Sequence, residues 1–147
     1  MMRLMLAHAT LLTTLLFPGP ASAELPAADV SEDYLLHCSA CHGLDGAGVP
    51  GVVPTLHGVA GLLDSPGGRE YLASVPGVAQ APLSDARLAR LLDWVLLTFS
   101  GRAPEPGYAP DEVGALRALP LRDPGSAREA LLAPAPRPHA ETSPKSQ

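Results

Sequence analysis

The chain has few aromatic residues, two cysteines and, beyond its fifth position, no methionine. Phe, Trp and Tyr make up 4% of 147 residues, so a core has to come mostly from Leu, Val and Ala. The three methionines are Met1, Met2 and Met5. The two cysteines, Cys38 and Cys41, leave no second pair, which argues against a four-ligand zinc site. No Lys/Arg cluster exists, which argues against nucleic acid and against anionic membrane surfaces as partners. No stretch after the first twenty residues is long enough and apolar enough to span a membrane. What remains is 46% hydrophobic and 17% charged, the balance of a globular chain rather than a disordered one.

The N-terminus reads as an export signal. Met1-Met2-Arg3 is a short positive start, Leu4 to Phe17 is largely apolar, and Pro18-Gly19-Pro20 breaks the run. Ala21-Ser22-Ala23 then fits a small-x-small cleavage site, so residues 1–23 are expected to be removed before Glu24. A membrane anchor is the competing reading, but the run falls short of the roughly 20 residues that a spanning helix needs. The expected product is periplasmic, with no membrane span after cleavage. It has 124 residues with 9 basic and 15 acidic side chains, a formal charge of −6. That length suits one domain with one core. Fifteen of the 17 prolines lie in it, so its helices should be short.

Spacing along the chain predicts an all-α fold. Ser31 is a candidate cap, and Val30, Tyr34, Cys38 and Cys41 recur on one helical face. The glycines at 43, 46 and 48 end that helix in a turn; with no strand before them they are not a nucleotide loop. Pro50 and Pro54 predict extended chain over 49–58. A short helix is plausible over 67–74. The clearest helix starts at Ser84-Asp85 and carries Leu88, Leu91, Leu92, Val95, Leu96 and Phe99 as one broad stripe, stopped by Gly101. Residues 102–110 read as a linker, with two short helices near 111–118 and 123–132. The expected division is a signal peptide over 1–23, a domain over 24–100, a helical extension over 101–132 and a disordered proline-rich tail over 133–147.

The segment that carries chemistry is Cys38-Ser39-Ala40-Cys41-His42. C-x-x-C-H is the attachment sequence of c-type haem. Two thiols three residues apart on a helical turn can each add to a vinyl group on one porphyrin edge, and the adjacent histidine then reaches the iron from the same side. A structural disulfide would add little stability across so short a loop. A thioredoxin-like redox pair would sit in a βαβ context, which is missing. A buried porphyrin would also supply the bulk that this aromatic-poor core lacks.

From about residue 30 to 100 the sequence resembles the class I cytochrome c family. CSACHGLDGAG is common in small bacterial members, and Val53-Pro54-Thr55-Leu56-His57-Gly58 is similar to the family's Pro-x-Leu-x-Gly segment. The resemblance implies a small domain of three to five short helices and long loops around one covalently bound haem c. It implies that Cys38 and Cys41 tether the haem and that His42 is the proximal iron ligand. The Pro54 carbonyl would accept a hydrogen bond from His42, and Leu56 would pack on the porphyrin. The helix from Ser84 to Phe99 would cross the first helix, with Tyr34 against Trp94 or Phe99.

The departure from the family is the other side of the iron. The loop that usually carries a methionine corresponds to residues 74–82, and aligned on Pro76-Gly77 the methionine position falls near Gln80. Gln80 is then a weak sixth ligand, a hydrogen-bond donor to a bound small molecule, or a loop residue. His57, His37, His139 and Lys145 are more distant candidates, and Arg69, Arg87 and Arg90 could meet a haem propionate. The leading reading is a single-electron carrier, not an enzyme, whose acidity suits a redox partner with a basic docking face. It could instead serve as an electron-transfer subunit of a periplasmic dehydrogenase. A five-coordinate haem protein that binds CO, NO or peroxide is the second reading, and a non-haem thiol protein or export-associated chaperone is the third.

Overall fold

A computed structural model describes residues 29–134. The export signal, the tail beyond 134, His139 and Lys145 lie outside the described residues. Among those described there are seven α-helices and one 3-10 helix, and the sole extended pairing is an isolated bridge between Val49 and Val53. The α-helices are α1 (Val30–His37), α2 (Ser39–His42), α3 (Gly68–Ser74), α4 (Pro76–Ala79), α5 (Asp85–Ser100), α6 (Pro110–Arg117) and α7 (Pro124–Leu132); the 3-10 helix is Val59–Asp64. The all-α expectation stands, with more and shorter helices than three to five.

Two breaks account for the larger number. The helix expected through the cysteines is interrupted at Cys38, whose ψ of −37° is helical but whose φ of −126° is not, so α1 ends there and α2 restarts at Ser39. Val75 takes an extended conformation before Pro76 and separates α3 from α4. The cap of α1 is Asp29, whose carboxylate accepts from the Ser31 N–H at 3.1 Å, and not Ser31 itself.

α5 follows its sequence closely. Ser84 caps it by accepting from the Arg87 N–H, and Gly101 ends it in the left-handed region. Leu88, Leu91, Leu92 and Leu96 are buried, while Val95 and Phe99 pack at the edge of the same core. α1 crosses α5 through Tyr34, whose ring lies 5.5 Å from Trp94 and 5.0 Å from Phe99. The 3-10 helix adds Val59, Ala60 and Leu62, and α3 adds Tyr71, Leu72 and Ala73.

Residues 102–110 are not a loose linker. Pro104 and Tyr108 are buried, and Val113 of α6 is fully buried in the same core as α3 and α5. Arg69 on α3 fastens this segment. Its guanidinium donates to the Pro106 and Gly107 carbonyls at 2.9 Å each and to both Glu112 carboxylate oxygens, at 2.5 and 2.8 Å. It also stands over the Tyr108 ring at 4.1 Å. α7 closes the far side of α3, where Ser65 donates to the Leu131 carbonyl at 2.9 Å.

Candidate haem-attachment site

Cys38 stands at the junction of α1 and α2, and Cys41 and His42 lie in α2. The Cys41 and His42 N–H groups both donate to the Cys38 carbonyl, at 3.2 and 3.0 Å, so the three side chains stand on one tight turn. Both thiols are free; Cys38 is half-buried and Cys41 exposed. Burial pushes the Cys38 thiol up to about 11, and the nearby Asp33 and Cys41 act in the same direction. Cys38 therefore stays protonated at neutral pH and is a poor candidate for disulfide exchange.

The loop after α2 returns to the histidine. Gly46 allows this return: its φ is +74°, and a Cβ on it would stand 2.5 Å from the Phe99 ring. The chain turns through the Val49–Val53 bridge and brings Pro54 back, so that His42 Nδ1 lies 3.1 Å from the Pro54 carbonyl. That carbonyl can only accept, so Nδ1 carries the proton and Nε2 keeps its lone pair. Burial lowers the His42 pKa, and the Pro54 hydrogen bond opposes this in part. The imidazole is then neutral at neutral pH, the form that ligates iron.

Leu56 is half-buried against the core, and its own N–H donates to the Gly46 carbonyl at 2.8 Å. Ser100, at the end of α5, ties this segment down by donating to the Leu56 carbonyl and accepting from the Ala60 N–H, each at 3.2 Å. No spacing in the sequence points to Ser100, because its partners lie about forty residues away. Tyr34 contributes similarly, its hydroxyl donating to the Gly43 carbonyl at 2.5 Å where the motif ends.

The remaining candidates are dispersed. His57 is exposed, with its ring edge-on to Phe99 at 6.1 Å. His37 ends α1. Gln80 is exposed at the end of α4, between the buried Ala79 and Ala81. Arg69 and Arg87 are engaged within the protein, Arg69 by Glu112 and Arg87 by the buried Asp33. Arg90 is exposed on α5. An open cavity of about 480 Å³ follows residues 47–55, with Pro54 in its wall. Neither cysteine nor His42 lines it, so it is a concavity of the loop.

These residues fit a covalently bound haem: two free thiols on one turn, and a neutral imidazole oriented by a backbone carbonyl. A helical fold built around such a turn defines a c-type haem protein. No family model matches the chain. It is 34% identical over 134 residues to cytochrome c-552 of Thermus thermophilus, covering 76% of this chain and 88% of that protein. The chain belongs to the class I c-type cytochromes, monohaem proteins that bind haem c covalently and carry electrons. As a family member it works with a redox partner, and among the described residues no helix is long and apolar enough to cross a membrane.

Proposed function

We propose that this cytochrome is an exported, periplasmic carrier of single electrons with one haem held by residues 38–56. The single observation that carries the reading is the contact of His42 Nδ1 with the Pro54 carbonyl at 3.1 Å, twelve residues along the chain. When bound, the haem iron takes up and gives back one electron. Cys38 and Cys41 would form the tethers, each as a thioether to the haem. His42 would be the proximal ligand through Nε2, with the Pro54 carbonyl fixing its ring and raising its donor strength. Leu56, whose carbonyl Ser100 holds, would pack on the porphyrin face. Residues 24–100 form the haem domain, residues 101–132 an extension that braces it, and residues 1–23 the cleaved signal. The charge of −6 after residue 23 supports a partner with a basic docking face and salt-sensitive binding.

One observation favours a second reading. No methionine follows Met5, so the sixth position has no thioether from residues 24–147. On this reading Gln80 would stand on the distal side, and the iron would be open to CO, NO or peroxide. The optical spectrum of the periplasmic product, reduced, with and without CO, tests both readings, alongside intact mass for the wild type and Cys38→Ala. Haem mass retained by the wild type and a low-spin spectrum unmoved by CO is the outcome expected of the plain carrier. A CO-shifted high-spin spectrum moves ligand binding ahead, and absence of haem mass overturns both.

A further inference from the structure

Arg117, the last residue of α6, fastens the chain between α4 and α5. Its Nε donates to the Ala79 carbonyl at 3.0 Å, and Nη1 donates to the Leu83 carbonyl at 2.8 Å and to the Asp85 carboxylate at 3.2 Å. Nη2 donates to the Ala81 carbonyl. The side chain is 17% exposed, so these bonds form largely out of water. Three carbonyls two residues apart converge on one planar fork, which no other side chain could satisfy together. The path this dictates is visible in the burial: Ala79, Ala81 and Leu83 face inward, while Gln80 and Pro82 face outward. α6 comes close enough for this because Gly114, one turn earlier, has no Cβ; one there would stand 2.7 Å from the Asp85 carboxylate.

The segment's own backbone bonds are all short-range: the Ala79 and Gln80 N–H groups donate to the Val75 and Pro76 carbonyls at 2.9 and 3.0 Å, and the Ala81 N–H donates to the Val78 carbonyl at 3.1 Å. It offers two alanines and a leucine to the core, and Ala81 and Leu83 are linked by a tight backbone bond of 2.8 Å instead of a helical ladder. We propose that Arg117 is a positioning residue for the sixth-ligand side of the haem: by pinning three carbonyls it holds residues 79–83 on one path and sets where the Gln80 amide stands. This rests on the reading that residues 74–82, here the end of α3, α4 and the chain after it, take the place of the family's distal loop. Arg117 acts through the backbone and touches neither haem nor ligand. Without it the carbonyls turn to water, the segment samples several paths, and small molecules reach the iron more easily.

The test uses the full-length holoprotein and CO association to the reduced form, measured by flash photolysis. Arg117→Met raises the association rate about tenfold, and Arg117→Lys, which keeps the charge but loses the fork, about threefold. Arg102→Met is the control. Arg102 also binds a backbone carbonyl, that of Ala60, together with Asp64, but lies outside this segment. It leaves the rate within about twofold of wild type. A folded Arg117→Met with the wild-type rate overturns the proposal, as does one that stays closed to CO when the wild type is closed. Gln80→Ala separates the two layers of argument. If it changes the rate and Arg117→Met does not, Arg117 alone loses its role. If neither variant changes it, residues 74–82 are not the distal loop and both readings fall. Should Arg117→Met yield no holoprotein, Arg117→Lys carries the same comparison.

Discussion

Tyr108 tests whether the extension shares one cooperative core with the haem domain. The residue is 6% exposed. Its hydroxyl donates to the Arg69 carbonyl at 2.8 Å, its N–H donates to the Asp93 carboxylate at 3.1 Å, and its ring lies beneath the Arg69 guanidinium. Tyr108→Phe keeps the ring and deletes one hydrogen bond, which costs about 1–2 kcal/mol because the Arg69 carbonyl loses its donor. Tyr108→Ala also deletes a buried ring and its cation contact, and costs about 3–5 kcal/mol. For a chain of this size each kcal/mol moves Tm by roughly 3–5 °C, so falls of about 5 °C and about 15 °C are expected. Thermal unfolding of the holoprotein followed by far-UV circular dichroism reads both, and urea midpoints check that the slope is unchanged. A fall below about 3 °C for Tyr108→Ala, or two separate wild-type transitions, would refute the single core.

Glu112 gives a pH dependence. Arg69 holds its carboxyl below the ordinary glutamate value, so the pair contributes stability that is fully present above that value, roughly pH 4.3, and is lost as pH falls through the folded pKa. The Tm gap between wild type and Glu112→Gln should be constant from pH 7 to 5 and narrow as pH falls below about 4; a gap that widens on acidification would contradict this. Gly46→Ala meets both a φ of +74° and the Phe99 ring, whereas Gly51→Ala meets the same φ of +74° with nothing within 4 Å. Losses of about 2–4 and about 1 kcal/mol are expected in denaturant titrations, and equal losses would mean that the ring yields freely. Pro54→Ala keeps the carbonyl that His42 uses, so the Soret band should not move while stability falls by about 0.5–1 kcal/mol through a freer unfolded chain. A shifted band would show that the pyrrolidine ring itself matters to the haem.

What could be read in advance follows the range of the interactions. The α5 stripe, its Ser84 cap and its Gly101 stop are contained in eighteen consecutive residues, so spacing alone places the helix to within a residue. The C-x-x-C-H turn is likewise local. The break at Cys38 is not legible, because a side-chain spacing of 4, 4 and 3 persists whether the backbone runs straight or restarts. Asp29 and Ser31 are both cap-forming residues two positions apart, and only the hydrogen bond between them tells which one caps.

The extension was the least legible part for the same reason. A stretch such as Arg-Ala-Pro-Glu-Pro-Gly-Tyr-Ala-Pro has a linker's composition, yet its Tyr108 and the following Val113 are core residues. What orders it are two arginines whose partners lie 32 to 43 residues away, Arg69 reaching forward to Glu112 and Arg117 reaching back to residues 79–85. A guanidinium fork that satisfies several carbonyls at once leaves no periodicity in a sequence, because its partners follow the folded path and not the chain. Fifteen prolines leave this protein, among the described residues, one 16-residue helix and otherwise helices of nine residues or fewer, so much of the chain must be held by side chains. Half-buried arginines do that work at both ends of the extension, Arg69 on the chain before α6 and Arg117 on the chain between α4 and α5.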